Sequence, residues 1–308
     1  MPSRLSNIAA KATLREYAQG VAQSTVAPVA DFLAPTVEVS GPVGYFKRYD
    51  DKNRFVIPDT TRALGGKAAV LGWDKSDATY NAKPNALDVP VDVAEGDADD
   101  SLEAALQEAA DLGAEVGALA HEKRVIDLAL ATLGAGSTFD FDAGVDVIDA
   151  LDQEIITVSK NTGYGSLMGI GLLMGPTFAR KLKNHPLVRA RITGGGKKDA
   201  ASPSIEQLIE LLMLKPEVRL SAMIYDTAPA GKAATRDFLL DNTCIVFARR
   251  ESPTRRDPSF MKTFRLRKSW MAPRVYTEAD GRTEVAAMDW SVDVQATNAT
   301  AGKRLNGN

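Results

Sequence analysis

The residues with the clearest chemical potential are in ITGGGKKDA, residues 192–200, where three glycines and two lysines precede a helix-like segment. Glycine-rich loops ending in lysine bind nucleotide phosphates in P-loop proteins, with the spacing G-x-x-x-x-G-K-[ST]. Five residues before Gly196 stands Arg191 instead of glycine, and Lys197 is followed by Lys198 instead of serine or threonine. The spacing fails, so we predict a surface loop. An α/β nucleotide enzyme using Lys197 is kept as a minor alternative.

Other nucleophiles and metal ligands are scarce. Cys244 is the one cysteine, and its apolar surroundings, TCIVF, predict a buried small hydrophobic residue and not a nucleophile. A single cysteine cannot form an intrachain disulfide, which favours a reducing compartment. The two histidines, His121 and His185, are far apart in sequence, which argues against a transition-metal site. We therefore predict no catalytic, cofactor-binding or metal-binding residue.

The composition is that of a globular protein. The chain has 308 residues, 44% hydrophobic and 25% charged, enough for one large domain or two smaller ones. A net charge of −3 argues against a dedicated nucleic-acid binder, which would carry a basic excess. The longest apolar run, Gly163–Pro176, is too short and too rich in glycine to span a bilayer. We expect a soluble protein with no membrane partner.

The most strongly predicted element is one long helix within Glu95–Gly136. Its apolar residues recur at helical spacing, and Gly134 and Gly136 are typical of a helix end. At 1.5 Å per residue such a helix is about 50 Å long. Gly113 and Gly117 stand one turn apart inside it, where each costs about 1 kcal/mol relative to alanine. They predict that another backbone approaches closely there, and the alternative is a slightly weakened helix.

The segment before this helix, Gly41–Val93, is predicted to be an extended arm. Its last residues, Leu87–Val93, alternate apolar and polar as in a strand. The stretch between its two ends exceeds the about 15 residues of ordinary loops, yet it is too apolar for simple disorder. Another chain is predicted to bury it, and the alternative is a hairpin that folds back on its own core. The predicted subunit-contact residues are Phe55, Ile57, Leu64, Val70, Leu71 and Trp73.

Shorter helices are predicted after the long one. Asp142 is the expected cap of a helix within Asp140–Gly163. A short amphipathic helix begins near Gly175 and should end at Pro186. Ser202 is the expected cap of a helix that reaches Leu214.

Strands dominate the last third of the chain. Glu217–Tyr225 and Thr243–Arg249 have strand patterning, and Asp280 with Gly281 predicts a tight hairpin turn. The tail Asn298–Asn308 is expected to be frayed.

One segment is strongly basic. Between Arg249 and Arg274 there are nine arginine or lysine residues against Glu251 and Asp257, a local balance of +7 in a chain of −3. Such runs usually form solvated faces. Pairing with the acidic helix start of a neighbouring copy is the alternative.

Taken together, the order of these elements and the text of several segments resemble the major capsid protein of tailed bacteriophages, with its Hong Kong 97 fold. The resemblance covers nearly the whole chain. It rests on ADFLAPTVEVSGPVGYFKRYDDKNRF, TRALGGKAAVLGWDKSDATYNAKPNALDVPVD, and GPTFARKLKNHPLVRARI followed by SIEQLIELL.

The resemblance implies an α+β chain of the Hong Kong 97 type. It has an N-arm, an extended β-hairpin loop, a long spine helix with a peripheral β-sheet, and a mixed α/β axial domain. The implied divisions are 1–34 N-arm, 35–94 extension loop, 95–137 and 240–300 peripheral domain with spine helix, 138–239 axial domain, and 301–308 tail.

The implied function is structural. Copies of the chain would form the pentamers and hexamers of an icosahedral phage head that encloses double-stranded DNA, contacted non-specifically. Only about 34 residues precede the extension loop, so a separate scaffolding protein is expected. A portal protein and a decoration protein are further expected partners. The protein would reside in the virion capsid after assembly in the host cytoplasm. The alternatives are an encapsulin-like nanocompartment shell and a virion decoration or tail protein.

Overall fold

The computed structural model describes residues 29–47, 60–62, 67–68, 77–94, 102–162, 169–193, 203–228, 231–267 and 270–308. The helices are α1 Val29–Leu33, α2 Leu102–Leu133, α3 Val147–Thr162, α4 Pro176–Asn184, α5 Pro186–Thr193 and α6 Ile205–Leu211. The strands are β1 Thr36–Val39, β2 Val43–Lys47, β3 Asp77–Asn81, β4 Lys83–Asp92, β5 Ser137–Phe139, β6 Gly169–Met174, β7 Glu217–Leu220, β8 Ile224–Asp226, β9 Arg236–Phe238, β10 Thr243–Arg249, β11 Met261–Leu266, β12 Ala272–Thr277, β13 Thr283–Ala296 and β14 Gly302–Gly307.

The first five-stranded sheet is built around β13, which runs for 14 residues. On one side β13 pairs with β4, and on the other it pairs with β11 and then β12, all antiparallel. The parallel strand β1 completes the sheet beside β11. The predicted alternation in β4 is confirmed, because Leu87, Val89 and Val91 are more buried than the residues between them. The predicted turn is also confirmed, since Gly281 has a left-handed φ of 71° between β12 and β13.

The long helix α2 packs on this sheet through small residues. Its end is confirmed at Gly134 and Gly136, whose φ angles are 64° and 72°. The prediction of a close backbone approach was wrong, because side chains from the sheet fill the space. A Cβ on Gly117 would lie 2.8 Å from Met271 Cε, and one on Gly113 would lie 3.5 Å from Met288.

The second five-stranded sheet has the order β5-β14-β10-β6-β7. It holds the larger core, in which α3 and α4 contribute Ile155 and Phe178. Thr243–Arg249, expected within 240–300 beside the long helix, lies instead at the centre of this sheet. The reason is that Cys244–Ala248 is buried on both faces, as in a strand with neighbours and cover on each side.

The prediction of a frayed tail was wrong. Gly302–Gly307 forms β14 between β10 and β5, so its backbone groups pair on both sides. Leu305 is buried there. Its neighbours in the sequence are polar or glycine, so the segment lacks the apolar alternation that predicts a strand. The segment expected to be a tail at 301–308 is therefore part of the core of the second sheet.

Three helix boundaries also differ from prediction. Asp146, not Asp142, caps α3, with its Oδ1 accepting from Ile148 N at 3.2 Å. Ser204, not Ser202, caps α6, because Gln207 stands three residues later and completes a capping box. Pro186 ends α4 but also begins α5, since proline suits the first turn of a helix.

Among the described residues, no helix is both long enough and apolar enough to cross a bilayer.

Candidate functional site

The described base of the predicted extension loop is a two-stranded stem. β2 and β3 pair antiparallel, with Val43 opposite Asn81 and Lys47 opposite Asp77. The stem continues directly into β4, and Asn81 N donates to Asp293 Oδ2 on β13 at 2.8 Å. The first sheet therefore fixes where this hairpin leaves the body of the molecule.

Aromatic packing anchors the inner face of the stem. The Phe264 ring of β11 lies 5.2 Å from the Phe46 ring and 4.6 Å from the Tyr80 ring, the latter stacked. Gly44 is required opposite Tyr80, because a Cβ there would lie 2.7 Å from the ring carbon Cζ. Val37 and Val39 complete this cluster.

The outer face of the stem exposes two large apolar side chains among polar ones. Val43 is 63% exposed and Tyr45 is 70% exposed. The loop-tip contact residues predicted from the sequence lie outside the described residues: Phe55, Ile57, Leu64, Val70, Leu71 and Trp73. The sequence did not single out Val43 and Tyr45, because alternation in a short strand does not show which of its faces is covered.

The short helix α1 packs on the second sheet and leads directly into the first. Phe32 is fully buried and contacts Phe247 of β10 edge to face, with ring centroids 5.1 Å apart. The guanidinium groups of Arg219 and Arg249 lie 4.8 and 4.6 Å from the same ring, and Glu217 forms an ion pair with both. The chain then enters β1 of the first sheet, so α1 couples the two cores.

The centre of α2 carries two buried titratable groups beside α1. Glu122 accepts a hydrogen bond from Ala30 N at 3.0 Å, and burial, with the nearby Asp31 charge, raises its pKa to about 7. Burial lowers the pKa of His121 to about 4, and Asp31 partly opposes this. His121 lies edge to face with Trp270 at 5.4 Å. Both groups are enclosed, so substrate could not reach them.

Much of the basic segment is paired within the chain. Lys262 and Asp257 form a fully buried ion pair at 3.2 Å. Burial alone would raise the pKa of Asp257, but the Lys262 charge and hydrogen bonds from Ser259 and Thr254 hold it below its ordinary value. The other internal pairs of the segment are Arg249 with Glu217, Arg265 and Arg267 with Glu38, and Arg274 with Asp289.

The enclosed spaces and the thiol offer little chemistry. A cavity of about 380 Å³ beside α4 and α6 is mostly apolar, with Arg180, Lys183 and Asn184 as its polar lining. Cys244 is fully buried as predicted, and burial raises the pKa of its thiol. Within the described ranges no group of histidine, cysteine, aspartate and glutamate side chains is arranged to hold a metal ion.

No protein-family model matches the sequence, and none of the curated proteins is similar to it. Solved structures are similar in fold. A phage-related protein from Bordetella bronchiseptica superposes with a TM-score of 0.68 at 16% identity, covering 96% of each chain. The mature capsid of bacteriophage PhiM1 gives a TM-score of 0.56 at 14% identity, covering 91% of this chain and 86% of that one.

An encapsulin from Synechococcus elongatus gives a TM-score of 0.53 at 12% identity, covering 88% of this chain and 83% of that one. Each of these likenesses covers most of the chain. The chain therefore has the predicted α+β fold of the Hong Kong 97 type, the fold of tailed-phage capsid proteins.

Proposed function

We propose that this chain is the structural shell protein of a phage head. Copies assemble into the pentamers and hexamers of an icosahedral capsid that encloses double-stranded DNA. The observation that carries this proposal is the stem, which is anchored on its inner face and leaves Val43 and Tyr45 uncovered. Exposed apolar side chains on a fixed projection gain stability when another molecule covers them, at roughly 25 cal/mol per Å².

The domain division follows from the same proposal. Residues 1–34 are the N-arm, 35–94 the extension loop, and 138–239 the axial domain, to which β10 and β14 add the centre of the second sheet. The peripheral domain combines 95–137 with strands β11, β12 and β13 of the first sheet. The loop-tip residues Phe55, Ile57, Leu64, Val70, Leu71 and Trp73 contact an adjacent copy.

The remaining partners belong to the head. A separate scaffolding protein guides assembly, a portal protein occupies one vertex, and a decoration protein binds outside. The DNA is held without sequence specificity. The chain acts without catalysis, and its place is the virion capsid, assembled in the host cytoplasm.

Assembly of the purified chain tests this proposal. Expressed with its scaffolding partner, the wild type should give closed shells by sedimentation and electron microscopy. Deletion of 64–73 should leave the monomer folded by circular dichroism but impair shell formation. Monomers alone at every salt concentration would refute the shell function, and normal shells from the deletion variant would refute the role of the loop.

A second shell function is favoured by the likeness to the Synechococcus encapsulin. Both kinds of shell are built from proteins that are similar in fold to this chain, and they differ in their contents. Shells purified from the native source would contain DNA in the first case and a bound protein cargo in the second. Nuclease-protected DNA inside the shells is the result expected here.

A further inference from the structure

The loop between β10 and β11 presents three exposed arginines, Arg250, Arg255 and Arg256, on a rigid support. The support is the buried pair of Asp257 and Lys262, and Lys262 Nζ also donates to the Asp257 carbonyl at 2.6 Å. The loop is thus fixed from beneath while its charged side chains point to solvent. We call residues 250–256 the basic loop.

The arginines of the basic loop have no acidic partner among the residues that the structure describes. Within the described part of the chain, Arg250 and Arg256 form no ion pair. Arg255 lies over the Tyr80 ring at 5.7 Å, a contact that leaves its charge uncompensated. The loop contains one acidic residue, Glu251. Among the described residues, the basic loop is therefore a positive surface without a partner that neutralises it.

The opposite end of the first sheet is acidic. We call the β12–β13 turn, residues 278–284, the acidic hairpin. Two further acidic residues lie at this end of the sheet, Asp92 at the end of β4 and Glu103 in the first turn of α2. The hairpin itself also contains the basic residue Arg282. The acidic residues at this end are Glu278, Asp280, Glu284, Asp92 and Glu103. None of them forms an ion pair among the described residues.

The strand β13 separates these two ends. It starts at the acidic hairpin and ends beside the basic loop, where Asn298 Nδ2 donates to the Pro258 carbonyl at 3.4 Å. Fourteen residues of extended chain at ~3.3 Å each place the two charged ends ~45 Å apart. They cannot meet within one molecule. Copies arranged head to tail bring such ends together, since a heterologous contact joins two different patches.

We propose that the basic loop of one copy binds the acidic hairpin of a second copy. This inference rests on the proposed shell function and names one of its contacts. The loop also adjoins the extension stem, because Lys47 N donates to the Arg255 carbonyl at 3.3 Å. The neighbouring copy is thereby seated at the base of the stem. A polyanion such as DNA fits less well, because Glu251 stands among the arginines and the chain carries −3.

Charge reversal with rescue tests the contact. The first variant combines Arg250→Glu with Arg256→Glu, the second combines Glu278→Lys with Glu284→Lys, and the third carries all four changes. Each exposed pair contributes little on its own, but charge reversal replaces attraction by repulsion at every repeated contact. We expect the protein concentration required for shell assembly in low salt to rise about tenfold in the first two variants. In the third it should return to within about twofold of wild type.

Lys160→Glu with Lys232→Glu is the matched control, because both lysines are exposed and the change in net charge equals that of the first variant. It should assemble like wild type. Normal assembly of either reversed variant would overturn the inference. The inference would also be overturned if the four-change variant required as high a protein concentration for assembly as the two-change variants do. The same holds if its shells form but retain less DNA. Failure of the wild type to form shells is a different result and counts against the shell function itself.

Discussion

At the scale of single residues, the buried pair His121 and Glu122 has opposite effects on stability. Glu122 has a pKa of about 7 against an ordinary 4.5, so the folded chain binds its proton more tightly. Stability from Glu122 is complete below pH 4.5 and is lost as pH rises towards 7. His121 has a pKa of about 4 against 6.5, so its contribution grows as pH rises from 4 to 6.5. The two effects largely cancel between these values.

The prediction is that Glu122→Gln separates the two effects. Glutamine keeps an acceptor for Ala30 N but cannot ionise. The difference in unfolding free energy between variant and wild type should move by about 3 kcal/mol in favour of the variant from pH 4.5 to pH 7.5. Urea unfolding of the monomer at four pH values measures it. Glu115→Gln, an exposed change on the same helix, should give a constant difference. A constant difference for Glu122→Gln would contradict the assigned pKa.

At the scale of elements, segments with a periodic apolar pattern could be predicted from the sequence. Segments that are stabilised by neighbours distant in sequence could not. Strand β4 follows from regular apolar spacing. Helix α2 was also predicted, but the face that it buries consists mainly of small residues such as Ala110 and Ala114, whereas Leu112 and Val116 are exposed. Strand β14 could not be found, because its role depends on two neighbours distant in sequence. Ser202 and Ser204 both precede the same helix, and only the glutamine three residues after Ser204 distinguishes them. Segments whose partners are distant in sequence are the ones that local patterns miss.

The candidate site shows the same limit. The apolar content of the extension loop predicts that another chain covers it. Which face of the β2–β3 stem stays exposed depends on which face Phe264 packs against, and the sequence does not show this. The separation of the basic and acidic ends depends on β13, whose length and pairing join β4, β11 and β12. Charge counts along the sequence show the basic excess. They do not show which arginines the chain itself neutralises.

Two glycines with different surroundings give an element-scale prediction. A Cβ on Gly175, which caps α4, would lie 2.7 Å from the Leu240 carbonyl oxygen and would also collide with the Asp241 carbonyl. Backbone cannot yield there, so Gly175→Ala should lower the free energy of unfolding by about 3 kcal/mol. Gly117→Ala should change it by less than about 1 kcal/mol, because the end of a flexible methionine can move and alanine favours helix. Equal losses in chemical denaturation would contradict this reading of the packing.

At the scale of the whole molecule, exposed and buried aromatic residues of one stem should have separable effects. Tyr45 is 70% exposed in the isolated chain, whereas Tyr80 is 1% exposed and stacks on Phe264. We therefore expect the stability of the monomer to depend on Tyr80 and that of the proposed shell to depend on Tyr45. In the proposed shell each copy would repeat the outer-face contact, so a small loss per contact would be amplified.

Tyr45→Ser with Val43→Ser is thus predicted to unfold within about 0.5 kcal/mol of wild type, because exposed changes alter monomer stability little. The same variant should require a several-fold higher concentration to form shells, since the apolar area covered by the neighbour is lost. Tyr80→Ala is the converse control and should destabilise the monomer by about 3 kcal/mol. Urea denaturation and sedimentation of the assembled fraction give both quantities. If the Tyr45 and Val43 variant formed shells at the wild-type concentration, this face would not be a contact, and the extension loop alone would have to hold adjacent copies together.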